Sequence, residues 1–349
     1  MRLTPGDAAS IRLSILVRAI TSCRYRRARP KERKNNFVRG QHGRSMSSPR
    51  SLHLGMLFTV GISYSLLFSI NKMSAEEGLP YVAYVFWHSL GGGLILLVPC
   101  LLMGRRAWPK LSWLHLRTYL VWGGLAMAAP ITLLTYVSPN LPAAIMTMIL
   151  VLVPLFTYLF ALMFRMERFR ALSVLALLMG LCGVLLVIVP EASLPDVEAA
   201  GWVLLALLAP ASFSLVTVFA GKFRPPEAPS VTLACGLLLG SALLLVPVMF
   251  GTGQLYLFPG PSLSGDLTLL YAVVLSAVIF YIFLEMVRLA GPVFATQHNY
   301  IAVLAGFGWG LLFFDEAHSA YIWGATALMF AGLALHTLSA HRAARAEAG

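Results

Sequence analysis

Val137-Ser138-Pro139-Asn140-Leu141-Pro142 interrupts a run of 47 residues (118–164) that contains no Lys, Arg, Asp or Glu. A membrane helix needs about 20 mostly apolar residues, because the hydrocarbon is about 30 Å thick and each residue rises about 1.5 Å. The run is too long for one crossing, and the prolines and Asn140 stop one helix and start the next. The same test applied outward finds charge-free stretches at 51–71, 78–104, 171–190, 199–221, 228–265, 267–284, 289–314 and 317–341. Stretch 228–265 holds one span followed by a Gly/Pro-rich loop from Gly251 to Gly265. Nine stretches, one of them double, predict an all-α integral membrane protein with ten transmembrane helices.

Composition leaves no other class. Of 349 residues 58% are hydrophobic and 11% charged, with mean hydropathy +0.79, against roughly 25% charged in soluble domains. A soluble fold could not cover itself with so few polar groups. The net charge of +12 would suggest a nucleic-acid partner if spread over a surface, but residues 1–50 hold 13 Lys/Arg and 2 Asp/Glu, whereas the remainder holds 13 and 12. No nucleic-acid partner is expected. With the tail in the cytoplasm, alternation leaves 25 basic residues inside and only Lys72 outside, with eight acids from Glu76 to Glu316. That pattern satisfies the positive-inside rule, so both termini are expected in the cytoplasm and the membrane to be a bacterial inner membrane.

Residues 1–50 form a basic cytoplasmic tail, expected to be disordered. Its Ala8–Ser22 segment could instead lie as a basic amphipathic helix on anionic lipid. Met46 leads directly into the first span and would be a sensible beginning. Cys23, Cys100, Cys182 and Cys235 have no C-x-x-C spacing, and neither a disulfide, a metal site nor a cofactor is expected.

The body repeats itself. Lys72 and Lys222 are 150 apart; Pro80 and Pro229, Gly91 and Gly240, Glu167 and Glu316, and Gly183 and Gly332 are each 149 apart. Five spans per unit is an odd number, so the second unit must enter from the opposite face, as in the inverted repeats of secondary transporters. The expected division is 51–190 and 191–340, five helices each, with 341–349 a short cytoplasmic tail.

Several short motifs recur in order in both units. Leu141-Pro142-Ala143-Ala144 opens a helix running through Val153-Pro154-Leu155-Phe156 to Met166-Glu167-Arg168, followed by Gly180-Leu181-Cys182-Gly183-Val184. In the second unit Leu289-Ala290-Gly291-Pro292-Val293 opens the matching helix, which ends at Phe314-Asp315-Glu316, followed by Ala331-Gly332-Leu333. Over about residues 53–340 the chain resembles the EamA-type, ten-span branch of the drug/metabolite transporter superfamily. The resemblance implies export of amino acids or other small metabolites, and a central cavity among spans 1, 3, 4, 6, 8 and 9. Two departures bear on the solute. Many members carry an Arg in span 2, where this chain has Trp87-His88-Ser89, and the Pro of the penultimate helix is replaced around Val303.

Few polar groups sit deep in the spans. Thr296-Gln297-His298-Asn299-Tyr300 places five polar-capable residues in succession, and they cannot all face lipid, where an unpaired polar group costs several kcal/mol. Gln297, His298, Asn299 and Tyr300 are therefore candidate cavity-lining residues, with packing hydrogen bonds as the alternative. Tyr64 in span 1, Thr147 near the kink-forming Pro154, Ser212 and Ser214 after Pro210, and Tyr281 in span 8 join them. Singly, each Ser or Thr is more often bonded to its own helix backbone. Glu167 and Glu316 are gate candidates or water-facing helix ends. Glu285 is a candidate coupling carboxylate, or pairs with Arg288 one turn on. His88 reads as an isolated, structurally paired group.

Few charges and scattered hydroxyls describe a pocket for a small neutral or zwitterionic, amino-acid-like solute, exported by alternating access. The partners expected are that solute and membrane lipid; a coupled ion or counter-substrate and a homodimer stay open. A nucleotide-sugar or lipid-type carrier of the same superfamily is the alternative, favoured by a basic residue at midplane. A remoter one is an intramembrane serine hydrolase using Ser241, which requires a Ser–His pair beside a wet groove. Otherwise no enzymatic activity is expected. Gly91-Gly92-Gly93, Gly123-Gly124 and Gly306-x-x-x-Gly310 read as helix-packing surfaces.

Overall fold

A computed structural model describes residues 50–166, 169–188, 199–226, 228–290, 292–314 and 319–348. The basic tail with Cys23, and the candidates Glu167 and Glu316, lie outside these residues. The described chain is helical, with no strand. Helix α1 is Arg50–Glu76, α2 Tyr81–Leu102, and α3 Trp113–Gly123, continued through a π turn Gly124–Ala128 into α4, Ala129–Val137. After a 3₁₀ turn at Ser138–Asn140, α5 (Ala143–Ile149) passes through a second one at Leu150–Leu152 into α6, Val153–Met163. Then come α7 Ala171–Ile188, α8 Ala199–Ala206, α9 Leu208–Lys222, α10 Ser230–Gly251, α11 Leu263–Ala290, α12 Pro292–Ala295, α13 His298–Phe314 and α14 Ala320–Ala348.

The Val137–Pro142 interruption is where expected: Ser138-Pro139-Asn140 makes the turn and a new helix starts at Ala143. Among the described residues, six helical stretches are long and apolar enough to cross a membrane, Trp113–Asn140 and Ala199–Lys222 being counted through their interruptions. Four shorter apolar helices accompany them: Leu150–Met163, Ala171–Gly183, His298–Phe314 and Ala320–Gly332.

Close packing in lipid depends on small residues, and the glycines supply them. α2 packs along α10, α7 along α14, α1 along α13 and α11, α9 along α6, and α10 along α3. A Cβ at Gly123 would stand 2.5 Å from Leu237 O and 2.6 Å from Ser241 N, and one at Gly240 would stand 2.5 Å from Tyr119 O. The same region holds a Ser89–Ser241 hydroxyl pair at 3.1 Å and the Cys235 thiol 3.4 Å from Gly93 O. Cys100, Cys182 and Cys235 are free.

Two connecting loops clamp the ends. Between α2 and α3, Ala107 O accepts from Thr232 Oγ1 at 2.6 Å, in the first turn of α10. Between α10 and α11, Gln254 Oε1 accepts from Val82 N at 3.0 Å, in the first turn of α2. Each loop thus reaches the first turn of a helix distant in sequence.

Candidate functional site: a cavity beside two broken helices

Polar sequence at Thr296–Tyr300 coincides with a break in the helix. The turn at 296–297 replaces regular α bonding with shorter-range bonds from Gln297 N to Phe294 O (3.0 Å), Asn299 N to Thr296 O (3.2 Å) and Tyr300 N to Gln297 O (3.1 Å). The side chains that follow accept this geometry by bonding back to it. His298 Nδ1–H donates to Ala295 O at 2.7 Å, and Asn299 Nδ2 donates to Thr296 O at 2.9 Å. A carbonyl can only accept, so Nδ1 carries a proton, and in the neutral ring Nε2 is then the acceptor nitrogen.

A second helical break lies at Leu150–Leu152, just before Val153-Pro154. Pro154 has no N–H and cannot bond the carbonyl four residues back. Val153 O receives Thr157 Oγ1 at 2.7 Å and, from α9, Ser214 Oγ at 2.8 Å. The π turn after α3 presents Leu125 O to Ser212 Oγ at 2.7 Å. Interruptions of this kind in apolar helices collect at functional sites.

A cavity of about 50 Å³ lies between these breaks, room for a few waters at about 10–15 Å³ of accessible space each. α1 contributes Val60 and Tyr64, the π turn Ala126, and α6 Val153. α9 contributes Phe213, Val216 and Thr217, and α11 contributes Ile279, Phe280 and Phe283. Thr296, His298 and Asn299 close the wall. The His298 ring meets Tyr64 and Phe283 edge-on, each at 5.5 Å, and Tyr64 meets Phe213 at 6.0 Å. No charged side chain is among the lining residues.

Of the residues proposed from sequence, Tyr64, His298 and Asn299 line this cavity. Ser212 and Ser214 adjoin it with their hydroxyls committed to carbonyls, Ser214 also to Pro210 O at 2.6 Å. Gln297 is half-buried at the break, and Tyr300 stacks on Phe330 of α14, centroids 5.5 Å apart. Thr147 lies on α5, its side chain outside the described set. Tyr281, on α11, is 40% exposed and is not among the residues that line this cavity. Sequence reasoning passed over Phe213, although the repeat spacing carries Tyr64 onto it, 64 + 149 = 213. The apolar liners had no sequence signal to separate them from lipid-facing neighbours.

Glu285 pairs with Arg288 through two hydrogen bonds, Arg288 Nε donating to Oε2 at 2.9 Å and Nη2 to Oε1. Arg224, in the loop before α10, donates to Ser230 Oγ at 2.9 Å. Burial, then repulsion from Arg288, lower its pKa below the usual guanidinium value, partly offset by Glu285. His88 departs from expectation: it is buried 5.7 Å from the Tyr84 ring, and neither ring nitrogen has a hydrogen-bond partner among the described residues. The Ser241 hydroxyl pairs with that of Ser89, and among the described residues no histidine bonds it. Among the described residues no cluster of three or more His, Cys, Asp or Glu could hold a metal.

Residues 52–189 match the EamA-like transporter family. A solved crystal structure is similar over 83% of this chain and 98% of its own, at 21% identity and a TM-score of 0.59; so low an identity establishes a shared fold only. No curated protein is similar enough to match. Residues 52–189 are thus similar to an EamA-like transporter domain, in a chain whose described residues include six helical stretches long and apolar enough to cross a membrane.

Proposed function

We propose that the protein is a secondary transporter that exports a small neutral or zwitterionic, amino-acid-like solute by alternating access, using the cavity between the two broken helices. The observation that carries this reading is the break at Thr296–Gln297. It opens beside a charge-free cavity and presents His298 and Asn299, 7% and 2% exposed, at its wall. A neutral Nε2 acceptor and an amide, edged by Tyr64 and Phe283, suit a solute with both donors and acceptors and no net charge. The nucleotide-sugar or lipid carrier finds less support, because no basic side chain reaches the cavity.

Ten spans in two inverted halves agree with the six long and four shorter apolar helices, 6 + 4 = 10. Contacts exchange under the same shift. A Cβ at Gly183 would meet Met329 and Ala325, and one at Gly332 would meet Gly180 and Ala176; 329 − 149 = 180 and 325 − 149 = 176. Ser89 contacts Ser241 and Gly92 contacts Leu238; 89 + 149 = 238 and 241 − 149 = 92. With the positive-inside count, the Arg117 end of α3 is cytoplasmic and Lys72 lies on the opposite face of a bacterial inner membrane.

Uptake and efflux of an amino-acid and metabolite panel in proteoliposomes test this. His298→Ala and Asn299→Ala are expected to cut flux of the transported solute about 10–100-fold, the equivalent of one or two hydrogen bonds, at unchanged abundance. Full flux in both variants would reject the cavity as the site.

A further inference from the structure

The cavity does not end at its aromatic wall. A smaller void of about 20 Å³ continues from it, bounded by Trp122, Val216, Ala220, Leu237, Phe283 and Leu284. Beyond Trp122 a surface groove of about 290 Å³ opens, with Arg117 on its rim beside Phe219 and Phe223. Val216 and Phe283 bound both cavity and void, and Trp122 both void and groove. Cavity, void and groove therefore form one interrupted line to the Arg117 surface.

If the halves are related as the proposed function has it, on which this inference rests, the wall residues that the second half gives the void have counterparts 149 positions earlier. Ala220 maps to Asn71, Leu237 to His88, Phe283 to Leu134 and Leu284 to Thr135. These counterparts should mark the other half-route, from the cavity to the Lys72 surface. All four are buried at 0–1% exposure.

A second observation, independent of the symmetry, falls on the same residues. Asn71 Nδ2, both His88 nitrogens and Thr135 Oγ1 are buried without a hydrogen-bond partner among the described residues. Such an atom costs about 1–3 kcal/mol, and native proteins hold only a few per hundred residues. Packing does not call for polar groups here, since the second half fills the equivalent places with Ala, Leu and Leu.

Geometry joins them to the cavity. Asn71 follows Val60 by eleven residues and Tyr64 by seven, which puts all three on one face of α1, with Asn71 about 10 Å beyond Tyr64 at about 1.5 Å per residue. Phe68, buried and edge-on to Tyr64 at 5.2 Å, stands between. Tyr84 OH donates to Asn71 Oδ1 at 2.9 Å and fastens α2 to this point. α4, which brings Thr135, packs on both α1 and α2.

We propose that Asn71, His88 and Thr135 form a second polar station for the transported solute, between the Phe68 plug and the Lys72 surface, occluded in this structure and open in the opposite state of the cycle. An amide donor, an imidazole with one donor and one acceptor, and a hydroxyl suit the same class of neutral or zwitterionic solute. The apolar mate of this station, at Ala220 and Leu284, would only let the solute pass.

Single cysteines at Asn71→Cys, Thr135→Cys, Ala220→Cys and Leu284→Cys test it, in a background with the four native cysteines replaced by Ala. The probe is a membrane-impermeant methanethiosulfonate reagent applied to each face of sealed vesicles, with Leu94→Cys, 49% exposed on α2, as the lipid-facing reference. Asn71→Cys and Thr135→Cys should label from the Lys72 face, and Ala220→Cys and Leu284→Cys from the Arg117 face. If the second pair labels while Asn71→Cys and Thr135→Cys stay silent from both faces, the station is overturned and alternating access stands. If all positions are silent in variants that retain flux, alternating access itself fails. His88→Leu, which installs the residue of the second half, is expected to lower flux about tenfold at normal abundance; unchanged flux would count equally against the station.

Discussion

Two helices break beside the cavity, and the two breaks are built differently. In the first half Pro154 makes the break covalently, because a ring nitrogen can never bond the preceding turn. In the second half no proline lies at 296–300, and the break is held by His298 and Asn299 bonding to Ala295 O and Thr296 O. Hydrogen bonds of about 1 kcal/mol each can be exchanged for bonds to a solute; a proline cannot be exchanged. One wall is a fixed apolar surface and the other an adjustable polar one.

The same contrast governs how each half tolerates change at its crossings, where the largest stability effect is expected. The crossing of α2 with α11 carries Ala272 at the place equivalent to Gly123, 272 − 149 = 123, and Ala272 is fully buried. At Gly123 the added Cβ would press on backbone atoms of α10, Leu237 O and Ser241 N, which cannot move aside as a side chain can. Gly123→Ala, which makes the halves alike, should therefore destabilise by about 1–3 kcal/mol. Gly55→Ala, with nothing within 4 Å of the new carbon, should be neutral or gain up to about 1 kcal/mol from helix propensity. Thermal unfolding in detergent reads both. Equal shifts would mean that the crossings are not the tight points of the structure.

A smaller effect separates two serines 149 apart. Ser214 donates to Val153 O and Pro210 O, tying α9 to the proline-made break. Ser65 is buried with its hydroxyl unpartnered among the described residues. Ser214→Ala should cost about 0.5–1.5 kcal/mol, while Ser65→Ala removes an unsatisfied group and should be neutral or stabilising. The same unfolding measurement decides it, and a larger loss at Ser65 would reverse the comparison.

What the sequence made readable follows from where polarity is scarce. Charges sit only at helix ends, so charge-free runs located the helices, and Pro139 and Pro142 announced the turn between α4 and α5. Thr296–Tyr300 declared the polar wall because lipid excludes so many polar groups together. The rotation of α11 was not readable. Lipid and protein interior are equally apolar, so its sequence has no polar face to orient it, and Tyr281, a lining candidate by sequence, is 40% exposed and does not line the cavity. The π turn at Gly124–Ala128 was equally hidden: it is stabilised by Ser212, 87 positions away, and nothing within the five residues signals it.

The smallest expected effect concerns the loop clamps. At the Arg117 end, Thr232 bonds Ala107 O, a pair without titratable groups. At the Lys72 end, the carboxylate of Glu77 accepts from Ser264 Oγ at 2.6 Å and Ser262 Oγ at 3.0 Å, at the start of α11. These two hydrogen bonds, Ser264 foremost, hold Glu77 below its ordinary value of about 4.5. A carboxyl lowered by folding stabilises the fold fully above the unfolded value and loses that contribution as pH falls through the folded one. Glu77 is fully solvent-exposed, which keeps the effect slight and sensitive to salt. The Tm gap between wild type and the Ser262→Ala/Ser264→Ala variant should therefore be constant from pH 6 to 8 and close progressively below about pH 4.5, whereas the gap for Thr232→Val should not change with pH in that range. A gap for the serine variant that widened on acidification would mean that the protonated carboxyl is the better partner, and the two clamps would then differ in a sense opposite to the one their geometry gives.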